Sequence, residues 1–104
     1  MTDYIYTNEV DPAEMLRLRG MLAEAGVRHV ESDGYLGPHS YSTATDDFAI
    51  ANGTCVAGFS CVLSFSSYGH QVGALELWAK GMDDPEGWLS AKDVMRRLRK
   101  AGLA

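Results

Sequence analysis

Residues 45–79, TDDFAIANGTCVAGFSCVLSFSSYGHQVGALELWA, decide how this chain folds. No charged side chain stands between Asp47 and Glu76, and the hydrophobic period is two. One set collects Phe48, Ile50, Cys55, Ala57, Phe59, Cys61, Leu63 and Phe65; the other collects Ala49, Ala51, Thr54, Val56, Gly58, Ser60, Val62 and Ser64. Alternation of this kind marks strands with one buried face. Asn52-Gly53 supplies the positive φ angles of a two-residue hairpin turn. Pairing across it sets Ile50 opposite Cys55 and Phe48 opposite Ala57, so turn chemistry and hydrophobic pattern select the same register.

A second reversal falls at Ser66–His70. A two-residue turn at Tyr68-Gly69 would carry Glu76 to the apolar face opposite Cys61. A three-residue loop over Tyr68–His70 turns Leu75 and Leu77 inward and Glu76 and Trp78 outward. Burying an unpaired carboxylate is costly, so the longer loop is expected.

Working outward, Asp11-Pro12-Ala13-Glu14 has the form of a helix start, with Asp11 as cap, Pro12 in the first turn and Glu14 completing a capping box. Met15, Leu18, Leu22 and Ala25 make its apolar stripe and Gly26 ends it. Asp3–Glu9 and Val27–Ser32 read as short strands, with His29 a partly exposed, hydrogen-bonded histidine. Residues 33–45 hold two glycines and a proline, an irregular loop to His39 from which Ser40–Thr45 leads into the next strand. Lys80–Gly87 reads as a polar, turn-rich connection. Trp88–Val94 opens a second helix, with Ser90 and Asp93 as a capping box and Leu89 stapled to Val94. Its Val94, Leu98 and Ala101 face inward, cations cover the rest, and Gly102 ends it. The motif WLSAKDV…RRL is similar to the first helix of many helix-turn-helix DNA-binding domains. Only two residues follow Gly102 in this sequence, so no recognition helix is expected to enter a groove.

The expected fold is therefore α+β: one domain over residues 1–104, about five strands in a mostly antiparallel sheet, element order β-α-β-β-β-β-α, two helices on one face. Apolar content of 46% and charged content of 22% are ordinary for a folded domain. The N-terminus lacks the basic and apolar regions of a signal peptide, and the serines and glycines of the uncharged run argue against a membrane span. A cytoplasmic address is expected. Cys55 and Cys61 would lie ~20 Å apart along one strand at ~3.3 Å per residue, too far for a disulfide. Both read as buried free thiols.

Charge is the unusual feature. Residues 1–91 hold 13 acidic and 4 basic side chains, residues 92–104 hold 1 and 5; −9 and +4 give the net −5. Such a body repels phosphates and anionic membranes and attracts a basic surface. Phosphate loops, zinc-binding cysteine pairs and the Gly-x-Ser-x-Gly elbow are missing. Asp83, Asp84 and Glu86 do not follow a calcium-loop pattern, so neither metal nor cofactor is expected.

These features point to a small binding protein covering a site on a larger partner with a basic surface, such as a nucleic-acid-binding enzyme, with no direct contact to nucleic acid or membrane. Compact acidic domains without catalytic motifs are common among toxin-immunity proteins, antitoxins and phage-encoded inhibitors, anti-CRISPR proteins included; the analogy is one of size and charge. The expected contact residues are Tyr35, His39 and Tyr41 on the long loop, Trp78 on the open sheet face, and Asp33, Asp46, Asp47, Asp83, Asp84 and Glu86 for charge. The alternatives are a small enzyme using His39 or His70 with an acidic residue, and a structural protein that associates with its own copies, a homodimer in the simplest case.

Overall fold

The structure, a computed structural model, describes residues 10–34, 37, 39–46 and 58–104. In chain order these form helix α1 (Ala13–Glu24), strands β1 (Val30–Asp33), β2 (Tyr41–Ala44), β3 (Phe59–Leu63), β4 (Leu75–Ala79) and β5 (Glu86–Leu89), and helix α2 (Ala91–Lys100). The five strands make one antiparallel sheet in the order β1-β2-β3-β4-β5, and both helices pack on one face of it. The α+β expectation holds. The expected strand at Asp3–Glu9 and the Asn52-Gly53 hairpin lie outside the described residues, as does Cys55.

Register divides the sheet into two chemical faces. Thr43, Cys61 and Leu77 form one row across β2, β3 and β4, and Phe59 pairs with Ala79. All five are buried beneath the helices, together with Leu63, Leu75 and Leu89. The opposite face carries Val30, Ala44, Ser60 and Trp78 in one row and Ser32, Ser42, Val62 and Glu76 in the next. The pairs Cys61–Leu77 and Val62–Glu76 are those of the expected three-residue loop centred on Gly69, so Glu76 does point outward. The connection itself is longer, running from Ser64 to Ala74 with a 3-10 turn at His70–Val72. Three details of the strands differ from expectation. β3 begins only after Gly58, whose φ is +80° and where a Cβ would lie 1.8 Å from the Thr45 hydroxyl. Phe65 lies past the end of β3 and is exposed rather than in the core. Residues 86–89, expected as turn and helix start, form the edge strand β5.

Met15, Leu18 and Leu22 of α1 and Ala91, Val94, Met95 and Leu98 of α2 complete the core, while Ala25 and Ala101, both expected to face inward, are exposed. Gly26 at φ +70° ends α1, letting Val27 N–H reach the Leu22 carbonyl at 2.9 Å. The Ser90–Asp93 capping box forms as expected, both bonds at 3.1 Å. The one expected for α1 does not. Asp11 Oδ1 accepts the Ala13 N–H at 3.0 Å, but Glu14 turns away and its Oε1 accepts the Ala91 N–H of α2 at 2.7 Å. A carboxylate of one helix thus satisfies a free donor at the start of the other, and the two N-termini meet. At the far end Gly26 and Val27 share an open hollow of about 460 Å³ with Gly102 and Leu103. The helices therefore run side by side in the same direction.

Candidate protein interface

The end of the sheet where both helices begin holds the β3–β4 connection. Ser64, Ser67, Gly69 and His70 set its shape. Ser67 Oγ accepts the Ser64 N–H and donates to the Ser64 carbonyl, both at 3.0 Å. His70 Nδ1 donates to the Ser67 carbonyl at 2.7 Å. Gly69, at φ +96°, accepts at its carbonyl from Val72 and Ala74. A Cβ at Gly69 would stand 2.9 Å from the Trp88 backbone, and one at Gly87 only 2.2 Å from the Tyr68 Cβ. The connection is pressed onto β5 with no room between them.

Tyr68 is the hinge of this contact. Its N–H donates to Glu76 Oε2 at 3.0 Å and its carbonyl accepts from Trp88 N–H at 3.3 Å. Glu76 and Trp88, on two different strands, are thereby tied to one residue of the loop. Trp88 owes its direction to a bulge. Leu75 pairs with Leu89 and Leu77 with Glu86, so Gly87 and Trp88 together stand opposite Glu76. The extra residue lets Glu86 and Leu89 both turn toward the helices, and it leaves Trp88 at φ +62°. Tyr68 is 64% exposed, Trp88 59% and Val72 70%. A hydrogen-bonded, closely packed backbone thus carries large side chains into solvent.

The residues expected from sequence fall at two ends of the strands. Asp33, His39 and Tyr41 lie at the end just described. Asp33 accepts from Arg19 Nη2 at 2.9 Å; His39 is exposed at φ +62°; Tyr41 pairs with Leu63 and packs against the core on the helical side. Asp46, ion-paired with Arg28, and the exposed Asp83 and Asp84 lie at the opposite end. Glu86 begins β5 at that end and forks onto Arg97 of α2, both bonds at 2.7 Å. That pairing holds the Glu86 carboxyl below the usual carboxylate range. Trp78 is half-buried on the face turned away from the helices, near the same end. Tyr35 and Asp47 are outside the described residues. The loop keeps Asp33 beside it, but Asp46, Asp83, Asp84 and Glu86 belong to a separate patch.

For the enzyme alternative, His39 and His70 share one end with Glu76 while Asp46 stands at the other. Among the described residues neither imidazole hydrogen-bonds to a carboxylate. Cys61 is buried and free, and burial pushes its thiol well up from the ordinary value. No group of three or more His, Cys, Asp or Glu that could hold a metal occurs among the described residues, nor does a helix long and apolar enough to cross a membrane. Sequence reading missed Tyr68, Val72 and Trp88 as surface features. The available signal was the pair of glycines at 69 and 87, each beside an aromatic residue. No protein-family model matches the chain, and no curated protein or solved structure matches it either.

Proposed function

We propose that this chain is an acidic protein-binding domain of inhibitor or immunity type, which works by covering a basic surface on a larger partner. The observation that carries the reading is the exposure of Tyr68 and Trp88 on a backbone tied by hydrogen bonds and closely packed at Gly69 and Gly87. Aromatic anchors dominate binding energy at protein interfaces. When they are already held in place, little ordering entropy is lost on association. The net charge of −5 supplies attraction to a basic partner and a faster encounter with it. The narrower reading as a cytoplasmic, phage-encoded inhibitor of a nucleic-acid-binding enzyme rests on size and charge. The test is capture of partners by the immobilised protein at rising salt. A single stoichiometric basic partner, lost at high salt and lost in a Tyr68→Ala variant that remains folded, supports the proposal. Capture that is indifferent to both salt and Tyr68→Ala would overturn it.

A further inference from the structure

We infer that the corner formed by Tyr68, Glu76 and Trp88 receives an arginine side chain of the partner, an assignment that rests on the protein-binding reading above. Three observations converge on that chemistry.

The first is placement. The Tyr68 backbone bonds to the Glu76 carboxylate on one side and to the Trp88 N–H on the other. The backbones of two exposed aromatic residues therefore sit beside one carboxylate, Tyr68 bonded to it and Trp88 opposite Glu76 in the bulge. Aromatic faces attract cations, a carboxylate accepts the guanidinium fork, and arginine satisfies both at once where lysine offers a point charge.

The second is charge left over. Glu14, Glu31, Asp33, Asp46, Glu86 and Asp93 each have an arginine of this chain as partner. Glu76, like Asp11, Glu24, Asp83 and Asp84, has no ion pair among the described residues, and it is the one in the corner with Tyr68 and Trp88. Its one hydrogen bond there uses Oε2, which leaves Oε1 for a donor from outside. The net charge of −5 favours a basic carrier for that donor.

The third is strain. Trp88 occupies a left-handed backbone position that glycine fills at lower cost. More than half of its surface is in solvent, so it recovers little of that cost by packing on its own protein. Strain of this sort gathers at binding sites.

The experiment is an NMR titration of the isotope-labelled protein with an oligo-arginine peptide, repeated for two variants. Glu76→Gln keeps an acceptor for the Tyr68 N–H while removing the charge. Trp88→Gly suits the local backbone and so folds. The expected result is that the largest shifts fall on the Trp88 indole and the Tyr68 and Glu76 amides, and that each variant weakens binding about tenfold. Binding centred on Asp83 and Asp84 and unchanged by Glu76→Gln overturns the corner assignment while leaving the acidic-binder reading intact. Absence of binding anywhere overturns both. A wild-type dimer in sedimentation that Trp88→Gly dissolves assigns the corner to a second copy, and that too overturns the arginine site.

Discussion

Trp88 shows how much a single residue can hide from sequence reading. Its neighbours Gly87 and Leu89 fit a helix entry as well as a strand, and only pairing with β4 reveals the extra residue that turns it outward. Glu76, by contrast, was legible because the cost of burying a carboxylate chose between two loop lengths. Because Trp88 sits at φ +62° and is mostly exposed, Trp88→Gly is expected to stabilise the fold by about 1 kcal/mol, read as a higher urea midpoint. Arg19 was equally hidden. On α1 it looks like a surface cation, yet it is nearly buried. It donates to Thr43 Oγ1 and to the Ser42 and Ser32 carbonyls, and pairs with Asp33 and Glu31. Arg19→Met strands those acceptors and is expected to cost about 1–3 kcal/mol in chemical denaturation. The Glu86–Arg97 fork gives a pH signature. Arg97 hydrogen bonds hold the Glu86 carboxyl below its ordinary value, and Ser90 bonds do the same for Asp93. A depressed carboxylate stabilises the fold when ionised, so its contribution is present above the unfolded-state value and is lost as pH falls through the folded one. The urea midpoint is expected to drop as pH goes below about 4. Glu86→Gln should flatten that drop; an identical profile in the variant would assign the fall to other groups.

At the scale of elements, the two helices were legible because their stripes repeat every three or four residues and their ends carry caps. The Ser90–Asp93 box is the clearest case. Ser90→Ala is expected to lower stability by about 1 kcal/mol, with the midpoint of urea unfolding shifted and its slope unchanged. The misread cap on α1 has a physical cause: Glu14 has two N-termini within reach, and it satisfies Ala91 of the neighbouring helix instead of its own. No local pattern encodes that choice. The strands split the same way. β3 and β4 show clean alternation, each buried-intermediate-buried along its length. β2 and β5 have four residues apiece, too few for a period to declare itself, and β5 also carries the bulge. Pairing with a longer neighbour, rather than intrinsic pattern, makes them strands.

For the whole molecule, one apolar face and one acidic surplus were both visible from composition and alternation. The division of the acidic residues between two ends of the sheet was not, since it depends on which way each strand runs. Leu77 sits in the row of β4 that the helices cover and is fully buried. Leu77→Ala is expected to cost about 2–5 kcal/mol, the range for a leucine cavity, measured by urea denaturation; a loss under half a kcal/mol would mean the core closes over the gap. The adjacency of α1 and α2 has one more effect. Each strand of the sheet pairs with its neighbour in sequence, yet the apolar side is roofed by helices far apart along the chain. During synthesis the first helix must wait for the last before that roof closes. A ribosome-bound chain lacking Ala91–Lys100 therefore leaves Leu75 and Leu77 under-covered, and it is the intermediate most prone to aggregate or to recruit a chaperone.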